Sequence, residues 1–67
     1  MMSRPDPELV EQWAVEKLKL PPRGSGQPLR SRDDRTAVRF WLRSMGASPE
    51  KVSAMTMQQL SDAWHNA

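Results

Sequence analysis

Ser31-Arg32-Asp33-Asp34-Arg35-Thr36-Ala37-Val38-Arg39-Phe40-Trp41-Leu42-Arg43-Ser44-Met45-Gly46 is the stretch that decides the fold. Ser31 stands where an N-cap belongs. Asp34, three residues on, gives a capping box with a shortened acid, and Asp33 and Asp34 suit the positive end of a helix dipole. Gly46 occupies the C′ position that ends a helix. At roughly 100° per residue, Ala37, Val38, Phe40, Trp41, Leu42 and Met45 form one apolar face. Arg32, Arg35, Arg39 and Arg43 gather within roughly 80° on the opposite face. Arg35, Arg39 and Arg43 stand four residues apart in succession, and no carboxylate in the segment sits on their stripe. Like charges at this spacing cost a few tenths of a kcal/mol per pair. Such a stripe needs an anionic counterpart, either the acidic residues of a neighbouring helix or a partner outside the chain.

The same end signals recur on both sides. Asp6-Pro7-Glu8 reads as an N-cap, a proline at the first helical position and an acid in the first turn. The spacing predicts a helix from Pro7 to about Leu20, where Pro21-Pro22 must stop it. Leu9, Val10, Trp13, Ala14, Leu18 and Leu20 give it a broad apolar arc, interrupted by Lys17. Residues 21–30, rich in Pro and Gly, read as a mobile loop with basic edges. Beyond Gly46, Ser48-Pro49-Glu50 opens a short helix through Val52 and Met55. Thr56 and Gln59 form a capping box for a last helix with Met57, Leu60, Ala63 and Trp64 on one face. Two helices are preferred over one kinked helix across 49–65. With four Val, two Thr and no alternating stretch, strands are not expected. The expected fold is all-α: one domain of three to four short helices, with a helix-loop-helix in the C-terminal half. Residues 31–67 form the compact part, and the first helix packs across it through Trp13.

Sixty-seven residues leave room for one small core. The chain has no Cys and a single His, so neither a disulfide nor a metal cage props it. The three Trp read as core, and Met45, Met55 and Met57 as fillers of an irregular core or the lining of an adaptable groove. No apolar run reaches membrane-spanning length, and Met1-Met2-Ser3-Arg4-Pro5-Asp6-Pro7 lacks the apolar stretch of a leader, so a cytoplasmic location is expected. Gly24-Ser25-Gly26 has no preceding strand and no remaining phosphate-loop residues, so no cofactor is expected. His65 with Asp62 and a serine makes no scaffolded triad, and His65 reads as a solvated last-turn histidine. No set of nucleophile, base and orienting group can be assembled, which argues against an enzyme.

Charge is the functional signal. Residues 1–16 carry a net −3, residues 17–43 a net +6 and residues 44–67 a net −1. A basic block of that density attracts polyanions, provided the acidic first helix does not neutralise it. The candidate nucleic-acid contacts are Arg32, Arg35, Arg39 and Arg43, with Lys17, Lys19, Arg23 and Arg30 extending the track. The expected partner is DNA. The alternative is a larger protein on which this chain docks as an adaptor or inhibitor, and that reading requires an exposed apolar patch.

From Thr36, the string Thr-Ala-Val-Arg-Phe-Trp-Leu-Arg-Ser-Met-Gly, a connector, and Gln59-Leu60-Ser61-Asp62-Ala63-Trp64-His65-Asn66-Ala67 resemble the C-terminal DNA-binding domain of the actinobacterial H-NS-like xenogeneic silencers. Ala37, Val38, Arg39, Trp41, Arg43 and Gly46 match its first helix. Asp62, Ala63 and His65 match its last, with Trp64 in place of Tyr and a shift of one residue between the blocks. The peripheral subunit-binding domains of acyltransferase complexes, which bind proteins, share this topology. The resemblance implies a helix-loop-helix fold and a DNA partner. The silencers insert an Arg-Gly-Arg from the connector into the minor groove, whereas residues 47–55 here hold only Lys51 as a base. Pro22-Arg23-Gly24-Ser25-Gly26 has the composition of such a hook but precedes the central helix.

Overall fold

The computed structural model describes residues 5–66, so Arg4, the residues before it and Ala67 lie outside the described residues. With Arg4 goes part of the segment read above as free of a leader. Four helices follow one another: α1 (Pro7–Lys17), α2 (Arg32–Ser44), α3 (Pro49–Ala54) and α4 (Met57–Asn66). No strand occurs among the described residues. α2 is the central element, in contact with each of the other three. Leu18 lies beside Asp33, Thr36 and Ala37, while Pro5 lies beside Phe40, Arg43 and Ser44, so α1 runs antiparallel to α2.

The helix starts follow the side-chain chemistry. The Glu8 N–H donates to the Asp6 carboxylate at 3.0 Å, with Pro7 in the first turn, where no amide partner is lost. Thr56 and Gln59 close a reciprocal capping box: the Gln59 N–H donates to the Thr56 hydroxyl, and the Thr56 N–H to the Gln59 side chain. This box, opening directly after Met55 in extended backbone, separates α3 from α4. At Ser31 the arrangement differs by one residue from a true box. The Asp34 N–H donates to the Ser31 hydroxyl, but the Asp34 carboxylate accepts from the Arg30 N–H at 2.9 Å. Asp34 is thereby buried, holding the end of the loop onto the helix.

α1 ends earlier than the expected Leu20. Lys17 is its last helical residue, and Lys19 takes a left-handed φ of 62° that sends the Leu20 N–H back to the Ala14 carbonyl. The turn drives Leu20 into the core immediately before the two prolines, at the cost of a left-handed non-glycine residue.

The core is built from Val10 and Ala14 of α1, Ala37, Val38, Trp41 and Leu42 of α2, Val52 of α3, and Leu60 and Trp64 of α4, with Leu20 and Leu29 from the loop. Trp41 and Trp64 meet edge to face, with centroids 5.0 Å apart. Three apolar assignments need correction. Trp13 is 46% exposed and packs edge to face against Phe40, itself 43% exposed, on the rim between α1 and α2. α1 is therefore seated by Val10 and Ala14, not by Trp13. Met45 and Met57 are also exposed and Met55 is only partly buried, so the methionines do not fill the core. For Phe40 the physical reason is angular. The buried arc of α2 runs from Ser44 through Trp41 to Leu42, and Phe40 falls on its shoulder, roughly 40° beyond Ser44.

Candidate functional site

The four arginines of α2 line its outward side but do not share one environment. Arg32 and Arg43 are exposed, and Arg35 is half-buried. Arg39 turns toward the α3–α4 junction, where its Nη2 donates to the Met55 carbonyl at 3.3 Å. Its Nε is buried there without a hydrogen-bond partner among the described residues. Arg39 is thus partly committed to the fold. Arg30 is exposed at the entrance to α2. Lys17 and Lys19 are exposed beside Leu18, and the antiparallel packing carries them to the same end of α2.

The acidic first helix does not neutralise this edge. Among the described residues the ion pair in evidence joins Glu11 to Arg23, at 3.1 Å, and none of Arg30, Arg32, Arg35, Arg39 and Arg43 reaches a carboxylate. Glu8 and Glu16 are exposed on α1 and likewise form no ion pair among the described residues.

Arg23, expected in the basic track, is drawn inward. Its guanidinium lies 4.6 Å from the Trp41 ring centroid and 6.0 Å from that of Trp64. Its Nε donates to the Trp64 carbonyl at 3.0 Å. The residue therefore links the loop to α1, α2 and α4, and its charge is spent inside the molecule. In that arrangement the Arg23 guanidinium is not extended outward as the hook reading of residues 22–26 expects.

The loop itself is anchored, contrary to its reading as a mobile segment. The Trp64 indole N–H donates to the Pro21 carbonyl at 2.8 Å. His65, expected in solvent, holds the next turn: its Nδ1 accepts the N–H groups of Gly24 and Gly26, at 3.1 and 3.4 Å, and its Nε2 donates to the Gln27 carbonyl at 2.6 Å. That pattern requires the neutral ring with hydrogen on Nε2. Gly24 and Gly26 both have positive φ, at 84° and 76°, which aims their two amides at one acceptor. The surroundings are open at both positions, so glycine is needed for the backbone and not for space. His65→Ala is expected to release this turn at a cost of about 1–2 kcal/mol. Hydrogen exchange at the Gly24 and Gly26 amides should accelerate while α2 amides stay protected. Unchanged exchange would show that Pro21 and Arg23 suffice to hold the loop.

A second surface lies opposite the loop. Leu9, Val10, Trp13 and Phe40 line a shallow apolar groove, and Phe40 separates it from grooves edged by Thr36 on one side and Arg43 on the other. Sequence periodicity placed these side chains on apolar faces; Val10 is core, but Leu9, Trp13 and Phe40 are exposed, and the groove was missed. The exposed apolar patch that a docking protein requires is nevertheless present. No group of three or more metal-binding side chains converges among the described residues, and no described helix is long and apolar enough to cross a membrane. The chain matches no family model, no curated protein and no solved structure.

Proposed function

We propose that this chain is a small, non-enzymatic nucleic-acid-binding accessory protein that contacts DNA phosphates through the arginines of α2. The observation that carries the reading is that Arg30, Arg32, Arg35 and Arg43 follow one edge without a carboxylate partner, although four acidic residues stand on or beside α1. Arginine presents a planar fork of donors suited to phosphate oxygens, and a helix edge lays such forks along a backbone. Lys17 and Lys19 lengthen the track, while Arg39 contributes less because Met55 holds it. The resemblance of residues 36–67 to the silencer domain points to the same partner. The mode gives positioning and affinity with little base reading, so A·T-rich and G·C-rich duplexes should bind alike.

With four to five phosphate contacts, affinity should fall about 10²–10³-fold between 50 and 200 mM salt. Fluorescence anisotropy with labelled duplexes measures it. Arg32→Glu with Arg35→Glu should weaken binding by about tenfold per contact at 50 mM salt and flatten the salt dependence. Circular dichroism establishes that the variant is folded. No binding at 50 mM salt overturns the proposal, and a folded double variant that binds as well as the parent removes α2 from the interface.

A further inference from the structure

The apolar strip of Leu9, Trp13 and Phe40 is left unused by phosphate binding. It follows the seam between α1 and α2, with Leu9 62% exposed, Trp13 46% and Phe40 43%. On α1 the residues outward of Leu9 and Trp13 are Glu16, Gln12 and Glu8, all exposed. On α2 the residues outward of Phe40 are Thr36, Arg43 and Arg32, also exposed. One face thus has Glu8 and Glu16 along α1 and Arg43 and Arg32 along α2, with Lys17 and Asp33 of the opposite sign at the Leu18 end of the seam, and none of these charges is paired among the described residues.

We propose that this face is a homodimer interface, with a two-fold axis running along the α1–α2 seam. The charge pattern selects both the occupant and the orientation. Rotation about the seam places α1 of one copy over α2 of the other, so the glutamates of each copy meet the arginines of the other. Rotation about the perpendicular in-plane axis would set like charges together. Because α1 and α2 are antiparallel, the chosen axis makes α1 antiparallel to the partner's α2 as well, giving a four-helix layer. Trp13 and Phe40 stand at one level across the seam, with centroids 6.4 Å apart, so each Trp13 meets the other copy's Phe40 and four aromatic rings cluster at the axis. Glu8 and Arg43, near the same end of the strip, face each other across the interface. A surface partner of uniform charge would leave either the glutamates or the arginines opposed by their own sign. A second copy satisfies both.

Self-association draws on Arg32 and Arg43, which the proposed DNA edge also uses, so it is measured without nucleic acid. Sedimentation equilibrium of the full chain should show a reversible monomer–dimer equilibrium with a midpoint of about 10–100 µM. Phe40→Glu should weaken it by at least about tenfold while the helical circular dichroism is retained. Should Phe40→Glu lose the fold, Leu9→Glu carries the same test, because that side chain is mostly in water. Arg43→Glu alone should weaken the dimer, and adding Glu8→Arg should restore it. A chain that remains monomeric to about 1 mM overturns the proposal and leaves the strip to a different protein. A dimer indifferent to both Phe40→Glu and Leu9→Glu, or one that the charge exchange fails to restore, overturns it equally.

Discussion

Trp64→Ala is expected to unfold the protein at 25 °C. The indole is fully buried, packs edge to face on Trp41 and donates its N–H to the Pro21 carbonyl. Truncating a buried tryptophan costs about 3–5 kcal/mol through lost transfer energy and the cavity left behind. The buried Pro21 carbonyl then loses its donor, which adds to the penalty. A domain of this size, without disulfide or metal, rarely holds more than about 3–5 kcal/mol of stability, so one substitution removes all of it. Trp64→Phe separates the two contributions. It keeps an aromatic ring against Trp41 but removes the donor and some volume, for a loss of about 1–3 kcal/mol. That variant should stay folded with Tm lowered by about 4–8 °C per kcal/mol. Circular dichroism at 222 nm and thermal melts check both outcomes. A folded Trp64→Ala with an unshifted Tm would mean that the Trp41–Trp64 pair is not the centre of the core.

Local signals carried the helix count because they act within four residues. Asp6, Ser31 and Thr56 each meet an amide two or three positions away, and the prolines forbid a bond at their own positions. The all-α class and the separation of α3 from α4 were legible for that reason. The end of α1 was not, because Lys19 adopts a left-handed φ that lysine does not advertise. Its cause is the demand that Leu20 be buried before Pro21, which depends on α1 packing against the rest of the domain. Faces were legible only at their centres. Periodicity identified Trp41 and Val38 correctly. The shoulder at Phe40 is decided by where a second helix happens to lie, and no spacing in α2 encodes that. The candidate site divides in the same way. The stripe on α2 follows from i, i+4 spacing, whereas the freedom of Arg32 and Arg43 and the capture of Arg39 by Met55 depend on neighbours 16 residues away or on their absence. The loop is the extreme case. Its anchors at Trp64 and His65 lie about forty residues distant, and composition read the segment as mobile because Gly and Pro say nothing about what the far end of the chain supplies.

Arg23 gives the second large effect, and it separates a structural charge from a binding one. Arg23→Ala should cost about 2–4 kcal/mol: a cation held over Trp41, a charged hydrogen bond to the Trp64 carbonyl and the pairing with Glu11 are lost together. The contributions are unequal. Glu11 and Arg23 are each about a third exposed, so Glu11→Gln should cost under about 1 kcal/mol. The ring and carbonyl contacts carry the rest. Arg23→Lys preserves the charge yet should recover less than half of the loss, because an ammonium cannot lie flat on the indole and reach the Trp64 carbonyl and Glu11 from one plane. Thermal melts of the three variants establish the order: Glu11→Gln mildest, Arg23→Lys intermediate, Arg23→Ala most severe. An Arg23→Lys variant as stable as the parent would reduce the site to a point charge. The charge-removing variant tests the basic edge. At a temperature where Arg23→Ala is folded, its duplex affinity should keep the parent's salt dependence, because the residue's charge is directed at Trp41 and Trp64 instead of phosphate. The charge of a basic loop is therefore no guide to binding until its guanidinium has been located. The +6 block of residues 17–43 divides into one cation that holds the core together, one half-captured by the α3–α4 junction, and an outer set with no carboxylate partner among the described residues.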